Sequence, residues 1–340
     1  MRLAHRPTHL HVEAMNEPRR THRFATLDAA VIGGAVLVVM AAVGVFPGPW
    51  HDVGAGGHAL DRSAATAAGP VQFHYDLHTF KGADDGTTVV AAVAVPVREL
   101  RRERFDGDIR YRFDIRFVLA DTAEQRVIDT IDSVYVSVPS PLARRHLLHT
   151  AVELDAEPST STWQRLVVTD AGRPGYGQLE QSDFPIPDYS GTRLMLSDIA
   201  FGLPGSRGGW QRRGVTLALL PTSQFPESAF DLYYEIYNLP PGRGYETELA
   251  IRRLDDDDDD RTVRTLFQGE SATGPDGIIG ELRRVESALD NGRYEVTVTV
   301  TDQVDGRRAT SSRVVEVQGW RRGTTMVPAL PKRGAVAEGR

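Results

Sequence analysis

The sequence contains no cysteine. That absence excludes disulfides, cysteine-ligated zinc, iron–sulfur clusters and a thiol nucleophile together, and it leaves the compartment open. Lysine is nearly missing too: of 39 basic residues only Lys81 and Lys332 are lysines. There is no basic excess, since the formal net charge is −7, which argues against a general nucleic-acid binder. A P-loop, a Gly-x-Gly-x-x-Gly turn behind a strand and a Gly-x-Ser-x-Gly elbow are all absent. With no motif for phosphate cradling or a serine nucleophile, the expectation is a chain that is not an enzyme. No catalytic residue, cofactor or small-molecule ligand is indicated.

What is present begins with one long apolar run. Ala29 to Phe46 reads AAVIGGAVLVVMAAVGVF, without a charge, an amide or a hydroxyl. As a helix it covers about 27 Å, close to the ~30 Å hydrocarbon core of a bilayer. Phe24 precedes it, and Phe46 and Trp50 stand where interfacial aromatics are expected. The anchor residues of this reading are Ala29, Ala30, Gly34, Val38, Phe46 and Trp50, with Ala30 and Gly34 as a small-residue pair for helix packing. Residues 1–28 hold Arg2, Arg6, Arg19, Arg20 and Arg23, whereas the following stretch carries Asp52, Asp61 and only Arg62. The positive-inside rule then places the arm in the cytoplasm and the rest in the periplasm of a bacterial inner membrane. A cleaved signal peptide is the competing reading, with Ala42-Val43-Gly44 as a weak site.

After a Gly/Ala-rich tether at 47–69 the period becomes two. Val89, Ala91, Val93 and Val95 share a strand face, and Tyr111, Phe113, Ile115, Phe117 and Leu119 alternate with charged residues. The expected fold class is mainly β: one N-terminal transmembrane helix, then two antiparallel, Ig-like or fibronectin-like sandwiches at 70–204 and 210–318. The Gly/Pro/Arg stretch 202–214 marks the boundary, and GELRRVESAL at 280–289 is the one candidate for a short helix. The tail 319–340 has no periodicity, is basic, and is expected to be disordered.

In the second half three stretches occur in order: LSDIAFG at 196–202, LLPTSQFPESAFDLYYEIYNLPPGRGYETELAIR at 219–252 and LDNGRYEVTVTVTDQVDGRRATSSRVVEV at 289–317. They resemble the β-rich C-terminal region of GWxTD-domain bacterial envelope proteins over residues 190–318. The helical region with the GWxTD signature has no counterpart, because neither Gly209-Trp210 nor Gly319-Trp320 is followed by Thr-Asp. The resemblance implies an envelope β-domain and assigns no catalytic residue.

The run of six aspartates from 255 to 260 reads as a solvated hairpin tip; Asp255, Asp257 and Asp259 are its weak candidates for a cation, since an unbroken run lacks the spacing of a calcium loop. His74 and His78 on one strand lie about 13 Å apart, too far for one ion, and His146 and His149 point to opposite faces. The expected function is a non-catalytic, single-pass accessory subunit that binds a larger inner-membrane complex from the periplasmic side. Its partners are integral membrane subunits and the bilayer; reaction-centre or antenna, respiratory and envelope-assembly complexes are the candidates. Arg19, Arg20, Arg23, Trp210, Trp320, Arg321 and Arg322 are its interaction residues. The alternatives are a tethered carbohydrate- or peptide-binding module, with Trp163, Tyr189 and Tyr233 as aromatics of interest, and an unrecognised hydrolase.

Overall fold

The structure is a computed structural model. It describes residues 71–317, 326–328 and 330–331, apart from 122, 125, 173–174, 182–183, 204–208, 222–223, 226–228, 256–261, 271–276 and 287–288. The fold is mainly β; the only helical element among the described residues is one 3₁₀ turn, Val97–Glu99.

The first group of strands is β1 (His74–Lys81), β2 (Thr87–Pro96), β3 (Arg102–Phe105), β4 (Asp108–Asp121), β5 (Arg126–Val138), β6 (Leu147–Ala156), β7 (Thr162–Asp170) and β8 (Tyr176–Gln181). Strands β1, β2 and β6 form one sheet, and β5, β4, β7 and β8 form the other, with β3 beside β4. The period-two pattern does what it should: Phe113, Ile115, Phe117 and Leu119 of β4 enter the core with Val89, Ala91 and Val93 of β2. Asp106 and Gly107, at φ of 52° and 87°, make the tight turn between β3 and β4 that an Asp-Gly pair favours.

The second group runs through β9 (Met195–Leu196), β10 (Ala200–Leu203), β11 (Trp210–Arg212), β12 (Val215–Leu219), β13 (Gln224–Phe225) and β14 (Ala229–Tyr237). It continues with β15 (Gly244–Arg253), β16 (Thr262–Glu270), β17 (Ile278–Glu286), β18 (Gly292–Asp302) and β19 (Arg308–Val317). One sheet has the order β11-β12-β10-β14-β17 and the other β13-β19-β18-β15-β16. Leu232, Tyr234 and Ile236 of β14 meet Val296, Val298 and Val300 of β18 in its core. The chain then returns to the first group. β20 (Met326–Pro328) lies parallel to β6, and β21 (Leu330–Pro331) pairs with β5.

Three expectations change here. Among the described residues no helix is long and apolar enough to cross a membrane, and the run 29–46 with its anchor residues lies outside them. The transmembrane architecture, the inner-membrane location and the membrane-complex partners therefore give way to a mainly β chain. The hydropathy of 29–46, its flanking aromatics and the charge asymmetry around it carried those expectations, and all three lie outside the described residues. The helix expected within 280–289 is the strand β17, paired with β14 over nine residues without a slip. Its inward positions include Glu281 and Arg283, so the alternation is masked by charge. The tail expected to be disordered contributes β20 and β21.

The two groups meet at a seam. Every residue of β2 is buried, because one face serves the first core while Val90 and Ala92 pack with Phe80, Ala200, Trp210, Leu217, Leu219 and Tyr233. Trp210 stacks on Phe80 with ring centres 5.1 Å apart, and its indole N–H donates to Glu153 at 2.5 Å. Strand β1 is an edge, and an edge leaves backbone groups that must be satisfied once buried. Side chains do this along its free side. The Leu77 N–H donates to Asp76 (2.9 Å) and its carbonyl accepts from Arg313 (2.9 Å). The Thr79 N–H donates to the Asp198 carboxylate (2.8 Å), and its carbonyl accepts from the Tyr189 hydroxyl (3.2 Å) and the Asp198 N–H (3.1 Å). The Lys81 N–H donates to the Tyr237 hydroxyl (2.9 Å), and its carbonyl accepts from Arg212 (2.7 Å).

Behind that edge sits Glu235, fully buried. Its carboxylate accepts from Arg212 Nε (2.6 Å), Arg213 Nε (3.2 Å) and the hydroxyls of Tyr233 (2.7 Å) and Tyr237 (2.8 Å). Burial opposes the charge on Arg212, but the hydrogen bond and charge of Glu235 outweigh it and raise its pKa. Removing one partner of such a pair strands the other charge without water. Arg212→Met is therefore expected to cost about 3 kcal/mol in guanidinium chloride unfolding, and Arg213→Met, on the wetter side, below about 1 kcal/mol. Equal losses for the two variants would contradict this assignment of roles.

Candidate functional site

The seam gathers the densest polar chemistry of the described residues, but it is closed. Tyr189, Tyr233 and Trp210, three aromatics that the sequence suggests for contact with a ligand or partner, are all buried in it. Their hydroxyls and indole are committed to Thr79, Glu235 and Glu153. They hold the two groups of strands together and are not available to an outside molecule.

The open surface is the outer face of the sheet β5-β4-β7-β8. Alternation along β4 turns Arg110, Arg112, Asp114, Arg116, Val118 and Ala120 away from the core. Register then sets rows across the strands. Val127, Ala120 and Trp163 form one row from β5 through β4 to β7, and Asp129, Val118 and Arg165 form the next. Ile131, Arg116 and Val167 make a third, extended by Gln178 of β8. Val127 is 52% exposed, with Trp163 half-buried in the same row, and Ile131 is 65% exposed two rows away, beyond Asp129. Exposed apolar side chains set among polar groups in this way mark a contact surface more often than a solvated sheet face does.

The polar groups are held in cross-strand pairs. Arg116 Nε donates to Asp129 (3.0 Å), and Arg165 Nη2 to Gln178 (2.8 Å). Ser133 donates to Asp114 (2.6 Å), and the Arg110 guanidinium lies 3.4 Å from the centre of the Phe105 ring and 5.2 Å from that of Tyr135. Such pairing keeps the guanidinium planes and carboxylates oriented, so each group still has donors or acceptors to offer a ligand. Trp163 was legible in the sequence. Val127, Ile131 and Val118 were not singled out, although a second apolar phase is present: Val127 and Ile131 fall out of step with Ile128, Val134 and Val136.

The other predicted residues separate widely. Asp255 is exposed and accepts from the Arg293 N–H at 2.6 Å, whereas Asp257 and Asp259 lie outside the described residues. Among the described residues no group of three or more His, Asp or Glu is placed to hold a metal ion. Arg19, Arg20, Arg23, Trp320, Arg321 and Arg322 lie outside the described residues, so the structure brings none of them to a site. Of the histidines, His78 is buried in the seam against Arg313 (2.9 Å), and His149 is buried on β6 opposite Ala94.

No protein-family profile and no curated protein matches the sequence. Among solved structures, the chain is similar to a β-glucuronidase of Bacteroides uniformis at 9% identity and a TM-score of 0.25, covering 67% of this chain and 26% of that one. A putative β-galactosidase from Bacteroides fragilis matches at 7% and 0.25, covering 76% and 35%. A red sea bream transglutaminase matches at 14% and 0.22, covering 72% and 31%. The chain thus spans about a third or less of the length of these enzymes. The expectation that the chain is not an enzyme rested on missing motifs alone and is withdrawn, because the absence of a motif excludes no activity. At these TM-scores the likeness transfers neither an activity nor a site.

Burial holds the pKa of His149 down at about 4, below its ordinary 6.5. Between those values the unfolded chain binds the proton and the folded chain does not, so stability is full above pH 6.5 and falls as the pH drops towards 4. The loss is about 3 kcal/mol. Denaturant unfolding across that range should show the slope, and His149→Leu should flatten it; an unchanged slope in the variant would refute the assignment.

Proposed function

We propose that this chain is a carbohydrate-binding module whose ligand lies on the outer face of the β5-β4-β7-β8 sheet. The observation that carries this reading is the row Val127–Ala120–Trp163, with the polar pairs of Asp129, Arg116, Arg165 and Gln178 ordered in the two rows that follow it. Adjacent strands are about 4.8 Å apart, so three strands present a flat apolar strip about 10 Å wide. A pyranose ring has one C–H-rich face suited to an indole and an equatorial belt of hydroxyls that both donate and accept. The half-buried Trp163 supplies the first contact, and Arg116, Asp129, Arg165 and Gln178 supply partners for the second.

A peptide is served less well by this face. An extended peptide draws most of its affinity from main-chain pairing at a sheet edge, and the strip lies on a face, where backbone groups are already paired within the sheet. The protein therefore reads as a binding unit that presents one face of the first group of strands, while the second group braces it through the seam.

Isothermal titration of the protein against a panel of soluble oligosaccharides tests the proposal. At least one should bind, and Trp163→Ala and Arg116→Ala should each weaken it about tenfold without moving the melting temperature. Binding that survives both substitutions would place the ligand elsewhere. Uptake of peptides with no oligosaccharide in the panel would overturn the reading.

A further inference from the structure

Sheet edges are a hazard because an unpaired strand edge recruits another strand. Most long edges of this molecule are managed. β1 is capped by side chains at the seam, and β6 is lined at one end by β20 and turns Glu153 onto Trp210. Charges are turned towards the sandwich interior on three further edges: Asp132 on β5, Glu281 and Arg283 on β17, and Arg313 on β19. Arg283 is held by Glu281 at 2.5 Å and lies 4.8 Å from the Phe267 ring centre, and Glu281 accepts from Tyr245.

β16 has none of these devices. It pairs with β15 over nine residues in one unbroken register, with no bulge, lysine or proline. Its inward positions are Val263, Thr265, Phe267 and Gly269, all uncharged, and Gly269 is covered by the Tyr245 ring, which keeps the strand regular. Val263 is 54% exposed and Leu266 61%. Among the described residues nothing pairs with its outer side.

We infer that β16 is a homodimer interface, in which the strand pairs antiparallel with β16 of a second copy across a two-fold axis at Phe267. The occupant is argued from the strand's own complementarity. In that register Arg264 stands opposite Glu270 of the other copy, twice, and Leu266 stands opposite Gln268, with side chains of each pair on the same face. The Arg264 guanidinium already lies 3.2 Å from Glu248 on β15, so it is oriented on the face where the second carboxylate arrives. Glu270 has no ion-pair partner among the described residues. A two-fold contact of this kind is closed, joining two five-stranded sheets into one and using up the β16 edge of each copy. The buried area of one strand pair is small for a permanent dimer, so association should depend on concentration.

Sedimentation velocity over a concentration series is the test. The wild-type chain should shift from monomer to dimer. Arg264→Glu and Glu270→Arg each place like charges opposite one another at both ends and should weaken the dimer about tenfold or more. An equimolar mixture of the two variants restores both attractive pairs and should dimerise like wild type; melting curves check that each variant is folded. A wild-type chain that stays monomeric throughout, or takes up an extended peptide there instead, overturns the inference. So do single variants that dimerise normally, or a mixture that fails to recover.

Discussion

The arrangement of this molecule depends on how the free edge of β1 is satisfied. Three residues, Leu77, Thr79 and Lys81, turn their N–H and C=O groups away from β2 and into the seam. A second strand would normally meet them. Here Asp76, Arg313, Asp198, Tyr189, Tyr237 and Arg212 do so, five of them reaching from the second half of the chain or the link before it. Hydrogen bonds to fixed backbone positions are directional, so they set the relative placement of the two groups of strands. The apolar contacts of Phe80, Trp210 and Tyr233 then add burial without having to choose the geometry.

Glu235 shows why the seam is built as one network. A carboxylate with no exposure is costly to bury alone. Two guanidinium groups and two tyrosine hydroxyls compensate it, and two of those four partners also serve β1: Tyr237 accepts from the Lys81 N–H, and Arg212 donates to the Lys81 carbonyl. The charge and the edge are thus satisfied by the same side chains. Because the seam uses up the molecule's most concentrated polar chemistry, what remains for contact is on the outside. There Val127, Ala120 and Trp163 form a row on one sheet face, and β16 leaves an edge.

Much of the strand content was legible because period-two alternation is strict where one face is buried, as from Tyr111 to Leu119 and from Tyr294 to Val300. It failed where the inward positions are charged: Glu281 and Arg283 disguise β17 as a helix. It also failed for β20 and β21, which owe their form to pairing with β6 and β5 and not to any pattern of their own. The aromatics were misassigned for a related reason. Composition identifies Tyr189, Tyr233 and Trp210 as large and amphipathic, but only the path of the chain reveals that a second sheet covers them. More than a hundred residues separate Thr79 from Asp198 and Asp76 from Arg313, and no local signal links such pairs.

Amide hydrogen exchange at Leu77, Thr79 and Lys81 tests the role of the seam most directly. If side chains close the β1 edge as described, these three amides exchange as slowly as those of β2 and β14, through global unfolding. Exchange as fast as that of the open edge β16 would show that the side-chain bonds do not hold the edge and would contradict the account.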